Sequence, residues 1–137
     1  MSLLDDLADL ASSQGHGTVG TSIFKSALPA QPDECVAILG PYAAAPPVHA
    51  MSGSAGQALA ERPRVQILAR AARHDAAHKK ARDLWFSFDG LQARSINGVA
   101  YQSVFALQQP FYLERDANGR EIFATNFEVL REPATSS

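Results

Sequence analysis

Two stretches of two-residue alternation constrain this chain more than any other feature. In residues 62–70, Val65, Ile67 and Ala69 point one way, while Arg64, Gln66 and Arg70 frame the other face, with Leu68 the exception. In residues 120–131, Phe123, Thr125, Phe127 and Val129 share one face. Successive strand residues point to opposite sides, so each stretch reads as a strand with one apolar face. Such a face needs a cover. The segment between them supplies one: Ala77, Ala81, Leu84 and Phe88 recur at helical spacing and predict a helix over 75–89, with Asp75 as N-cap and Gly90 just past its end.

The rest of the chain extends this pattern. Leu3, Leu4, Leu7, Leu10 and Ala11, with Asp5, Asp6 and Asp9 between them, predict a short amphipathic helix led by Ser2 and ended by residues 14–17. A strand is expected near 21–26 around Ile23 and Phe24. A second is expected over 35–39, closed by Gly40-Pro41. Residues 41–61, rich in alanine, proline, serine and glycine without a usable period, read as a long exposed loop, or as a loop holding a helical turn within 56–61. Asn97-Gly98 predicts a tight hairpin, because both central residues of a type I′ turn need positive φ. The strand that follows, 99–108, is expected to carry Val99, Tyr101, Ser103, Phe105 and Leu107 on one face, and Pro110 places it at an edge or a bulge. Residues 116–119 form a second turn, and the tail 133–137 is expected to fray. The expectation is a single α+β domain over 1–137: a mainly antiparallel sheet with two helices packed on one side.

Composition narrows the function classes. With 46% hydrophobic and 19% charged residues the chain is an ordinary folding sequence. No apolar run approaches the ~18 residues of a membrane span. The acidic start Met1-Ser-Leu-Leu-Asp5-Asp6 lacks the basic region of an export signal, and the lone Cys35 excludes an internal disulfide and a cysteine-based zinc site, which suits a reducing cytosol. The net charge of −2 hides an uneven distribution. Residues 1–61 hold six acids and one base, residues 62–94 eight bases and three acids, and residues 95–137 five acids and three bases. Such segregation suits head-to-tail contact between charged surfaces; the alternative is a solvated basic helix face. Arg70, Arg73, Lys79, Lys80 and Arg82 could touch phosphates, but they lack the aromatic interleaving of single-strand binders.

The motifs that look chemical fall short of a site. Gly15-His-Gly-Thr-Val-Gly20 matches G-x-G-x-x-G, yet a helix precedes it and a strand follows, the reverse of the dinucleotide-binding order. His74 and His78 have the i, i+4 spacing of helical zinc ligands, but Asp75 as N-cap would leave His74 outside the helix, and His16 and His49 lie in expected loops. Ser52-Gly-Ser54 is loop composition rather than a nucleophile elbow. Cys35 sits in an apolar run, where a thiol is a small core residue. No catalytic, cofactor-binding or metal-ligating residue is assigned.

The order of elements, with Pro32-Asp33 before a short apolar strand, the Pro-x-Val-Gln-Ile strand ending at Arg70, one amphipathic helix, and the closing Asp116-Ala-Asn-Gly-Arg120 hairpin followed by Asn126-Phe127, resembles a tailed-phage family. These proteins, often labelled phage minor capsid, look like the tail terminators, or tail-to-head joining proteins, of long non-contractile tails. The resemblance spans about residues 3–131, and loop 41–61 has no counterpart in it. It implies a non-enzymatic virion protein that forms a hexameric ring at the head-proximal end of the tail, stops tube polymerisation and joins the tail to the neck. The implied partners are further copies of the chain, the major tail tube protein and the neck or head-closure protein. Genomic DNA would pass nearby non-specifically, no membrane would be involved, and assembly would take place in the host cytoplasm. Arg70, Arg73, Lys79 and Arg82 are the candidate interface residues, Arg70 foremost because it also ends the Val-Gln-Ile strand of the resembled family. Two other classes fit the residues: a small metal-dependent enzyme using His74 and His78, and a monomeric peptide- or ligand-binding module.

Overall fold

The structure, a computed structural model, describes residues 3–49 and 58–132. The elements in chain order are α1 (Leu3–Ser13), β1 (Ile23–Lys25), β2 (Cys35–His49), β3 (Ala58–Ala71), α2 (His74–Phe88), β4 (Leu91–Ile96), β5 (Val99–Ala106), β6 (Phe111–Arg115) and β7 (Glu121–Arg131). They form one sheet in the order β1-β2-β3-β7-β5-β4, with β6 also paired to β7. Only the β1–β2 pair is parallel. The two alternating stretches are neighbours at the centre, β3 against β7, in register from Glu61 opposite Arg131 to Ala71 opposite Glu121. The far side of β7 is shared: β6 pairs with residues 121–124 and β5 with residues 127–131.

Both helices cover the same face. Leu3, Leu7 and Leu10 of α1 and Ala77, Ala81, Leu84 and Phe88 of α2 are buried in one core with Ile23, Val36, Ile38, Val65, Ile67, Phe123, Phe127 and Val129. Leu68, the exception to the alternation, points to the opposite face. There it joins a smaller core of Ala37, Ile122 and Ala124, against which Leu28, Leu39 and Phe111 pack.

Three expectations are corrected. The first concerns the loop 41–61. β2 does not close at Gly40-Pro41 but runs on to His49, and β3 begins at Ala58, so residues 41–49 and 58–61 are paired strand; the rest of that loop lies outside the described residues. Proline carries no N–H, yet β1 pairs only with Val36–Ile38, so beyond Ile38 the outer edge of β2 asks for no ladder bond. Register shifts after Leu39, Tyr42 and Ala45 take up the irregularity, which also erases the sequence period. Secondly, α2 starts at His74 with the extended Arg73 in the cap position, and Asp75 lies inside the first turn, where its carboxylate accepts the Ala76 N–H. Gly90, at φ +85°, follows the helix as expected, and Asn97 and Gly98 take the positive φ of their turn. Thirdly, β5 changes face. A register shift against β7 between Tyr101 and Ser103 leaves Tyr101 and Val104 buried while Phe105 and Leu107 are exposed. One extra residue in a strand reverses every side chain beyond it. The expected cap Ser2 and the tail 133–137 lie outside the described residues.

Polar ties close both faces. On the helix side the fully buried Asp6 of α1 accepts the Tyr101 hydroxyl at 2.5 Å and the Asn97 side-chain amide at 2.8 Å. Arg131 donates to the Tyr101 oxygen at 3.3 Å and to Glu61 at 3.1 Å. Burial, reinforced by the bond to Asp6, pushes the Tyr101 phenol well above its usual range. On the opposite side a strap over residues 28–33 is held down by two buried arginines, Arg70 of β3 and Arg120 just before β7. Arg70 donates to the Pro32 carbonyl at 2.6 Å and the Asp33 carbonyl at 3.1 Å. Arg120 reaches the Ala30 carbonyl, Asp33 at 3.2 Å and Asp116 at 2.7 Å. The second Asp116 oxygen accepts the Asn118 and Arg120 N–H groups, which holds the 116–119 turn.

Two measurements check this architecture. Leu84→Ala or Phe88→Ala should destabilise the chain by about 2–5 kcal/mol in thermal melts, because each leaves a cavity in the main core. The Arg120 backbone N–H, followed by its guanidinium and the Asn118 N–H, holds the Asp116 carboxyl below the ordinary carboxylate range. A depressed folded-state pKa contributes stability that is complete above the unfolded value of about 4 and is lost as pH falls through the folded value. Denaturant melts from pH 7 to pH 2 should therefore show a loss of stability on the acid side that is shallower in Asp116→Asn. An unchanged acid limb would remove Asp116 from the account.

Candidate interaction surface

Folding redistributes the charge that is segregated along the chain. Residues of the basic stretch meet acids from the other two segments: Arg64 with Glu128 at 3.1 Å and Lys80 with Glu34 at 3.2 Å. Arg70 is 2% exposed and spends its donors on the strap, so it lies inside the subunit rather than on a surface. Of the other three candidates, Arg73 caps α2 and Lys79 and Arg82 lie on its outer side. Arg73 is well exposed beside Asp75 at 3.5 Å, and Lys79 pairs with Asp83 at 2.9 Å one helical turn on. Exposed pairs of this kind add about 0–1 kcal/mol each, so they leave the side chains available to a partner.

Arg82 differs from the other two. Its guanidinium lies over the rings of Trp85 at 5.8 Å and Phe86 at 5.1 Å from their centroids, and the two rings stand 4.8 Å apart. Trp85 is half-buried against the core, whereas Phe86 is 62% exposed. This aromatic pair escaped the sequence reading, although a signal was present. Phe86 falls off the stripe of Ala77, Ala81, Leu84 and Phe88 and places a large apolar side chain on the polar side of the helix.

The histidines and glycines have local work. Because α2 begins at His74, both imidazoles of the i, i+4 pair lie along the Phe123 ring, at 5.0 Å for His74 and 5.1 Å for His78, with Tyr112 5.7 Å from His74. No group of three His, Cys, Asp or Glu among the described residues is placed to hold a metal ion. His16 hydrogen-bonds Ser87 at 2.8 Å, and burial lowers its pKa. The glycine motif is the connector from α1 to β1. Gly17, at φ +145°, has no room for a Cβ, which would meet the Ser22 hydroxyl at 2.3 Å. That hydroxyl accepts the Thr18 N–H. Cys35 is buried, and burial pushes its thiol pKa up.

A solved structure, the virion of a native gene transfer agent particle, contains a chain with the same fold: TM-score 0.60 at 16% identity, over 90% of this chain and 84% of that one. No curated protein matches the sequence. A family described as bacteriophage tail terminator protein matches residues 12–133, from the end of α1 to the end of β7. Its span takes in the whole sheet and α2. The chain belongs to the bacteriophage tail terminator proteins and is a structural protein of the phage tail.

Proposed function

We propose that copies of this chain close into a hexameric ring at the head-proximal end of the tail tube, end tube polymerisation there, and join the tail to the neck. Beyond family membership, the observation that carries this reading is the sheet's two open sides. Among the described residues, the outer edge of β2 beyond Ile38 and the outer edge of β4 have no strand partner. Unpaired edges are costly to leave exposed and accept a neighbour's backbone readily. Two different edges on one subunit give a head-to-tail contact, and such contacts close into rings when the rotation per copy allows it. The β2–β3 hairpin adds a projection: β3 pairs with β7 only as far as Glu61, so Ala58–Ala60 and their partners in β2 extend past the sheet as a two-stranded ribbon. Isolated ribbons are marginal in water, which favours their use against a neighbour.

In this reading one face of the ring meets the major tail tube protein and the other the neck or head-closure protein. DNA passes close by without sequence-specific contact. The subunit is made in the host cytoplasm and ends in the virion. Arg73 at the cap of α2, with Lys79 and Arg82 on the helix, remain the cationic interface candidates. Arg70 serves inside the subunit, and its reversal to glutamate should cost about 3–5 kcal/mol of folding stability.

Removing the chain from a phage that encodes it should leave free heads and tails of irregular length, as seen by electron microscopy, and supplying it in trans should restore joined particles. Raising salt toward 1 M should weaken assembly before it melts the fold, since screening shortens from about 8 Å to about 3 Å. Joined particles with uniform tails in its absence would refute the role.

A further inference from the structure

Where the β2–β3 ribbon leaves the sheet, the last row of paired residues crosses the central strands: Glu61 of β3 lies opposite Arg131 of β7, and Arg131 lies opposite Tyr101 of β5. Past this row the sheet forks. On one side of the end of β7 the ribbon continues through Ala58–Ala60, and on the other the β4–β5 hairpin runs on to its turn at Asn97-Gly98. The two prongs carry the two edges on which the ring reading stands, that of β2 and that of β4.

Side chains tie the prongs together at the base of the fork. Arg131 donates to Glu61 at 3.1 Å and to the Tyr101 oxygen at 3.3 Å. The Tyr101 hydroxyl donates to Asp6 of α1 at 2.5 Å, and Asp6 accepts the Asn97 amide at 2.8 Å. The same amide reaches Asp9 at 3.0 Å, so the hairpin turn is held to α1 at two points. Asp6, Tyr101 and Arg131 are all buried. Well-packed apolar side chains fill such a space without the desolvation cost of charged groups. They fix position less well, because a hydrogen bond constrains distance and direction together. What the polar row contributes is a fixed relation between the two prongs.

We propose that the bridge Glu61–Arg131–Tyr101–Asp6–Asn97 sets the spacing and angle between the β2–β3 ribbon and the β4–β5 hairpin, and through them the number of copies that close the ring. This rests on the ring reading above and adds which residues position its two contact surfaces. A head-to-tail assembly closes only when the rotation per copy fits a whole turn, and that rotation follows from the angle between the two contacts on each subunit. Asp6, Tyr101 and Arg131 are positioning residues: they act through the prongs from inside the subunit.

Tyr101→Phe tests the bridge, since it keeps the aromatic side chain and removes only the hydroxyl between Arg131 and Asp6. Glu61→Gln, at the ribbon end, covers the case in which Tyr101→Phe fails to fold. Ile122→Val, in the small core on the strap side, controls for a loss of packing alone. Amide hydrogen exchange of the full chains would be measured together with native mass spectrometry across a dilution series, and incorporation into particles lacking the native chain would be scored in parallel. In Tyr101→Phe and Glu61→Gln, exchange at Ala58–Ala60 and at Ser95–Ala100 should rise at least about tenfold, while Val65–Ala69 stays as in wild type. Wild type and Ile122→Val should assemble with one copy number; the bridge variants should spread over several, or assemble at least about tenfold more weakly. If wild type assembles and the bridge variants match it in copy number and strength, or exchange at the prongs is unchanged, or Ile122→Val scatters as they do, the bridge serves the fold alone while the ring stands. If wild type is monomeric throughout the dilution series and absent from particles, the ring reading falls and this inference with it.

Discussion

The pairing of β3 with β7 is the constraint on which the rest of the structure depends. Over residues 61–71 and 121–131 the two strands run antiparallel at the centre of the sheet, and their shared alternation gives both faces their character. One face presents Val65, Ile67, Phe123 and Phe127 to the helices; the other presents Leu68, Ile122 and Ala124 to the strap. The paired ends of these strands carry the polar ties. Glu61 meets Arg131 at one end, and at the other Arg70 and Arg120 together grip residues 30–33. A slip by one residue would turn each apolar set to the wrong side and move both arginines off their carbonyls.

Electrostatics in this subunit serve the fold before they serve assembly. Buried arginines are tolerated because Arg70 donates to two carbonyls and Arg120 to a carbonyl and two carboxylates, and removing such acceptors would leave an uncompensated charge. The same logic accounts for Asp6, fully buried and satisfied by the Tyr101 hydroxyl and the Asn97 amide. That contact ties α1 to the β4–β5 hairpin, which the sequence places more than ninety positions away. What remains for partners is the outer side of α2, the exposed apolar residues of β5 and β6, and the unpaired strand edges. These are extended surfaces, as befits a tail structural protein that works by contact with neighbours.

Much of the fold is legible in the residues themselves, and the reasons are local. Phe123, Thr125, Phe127 and Val129 declare β7 by their period, Leu84 and Phe88 declare the buried side of α2, and Asn97-Gly98 declares its hairpin through positive φ. Where the reading failed, the deciding partner was distant. The continuation of β2 past Pro41 depends on β3 and on the absence of a strand on its other side. The reversal of Phe105 depends on a register shift against β7.

The candidate surface divides along the same line. Composition and local period alone determined an α+β chain, two amphipathic helices and a cationic α2. Family likeness in the order of motifs pointed to the phage tail. Only the tertiary structure decided which cations are available. Arg70 and Arg82 look alike in the sequence, both in the basic stretch and both next to apolar residues. Their fates separate because side chains on a central strand project into one of two packed layers, where a charge must find partners in its own chain. Arg82, on the outer side of a helix, lies over Trp85 and Phe86 and has no ionic partner among the described residues.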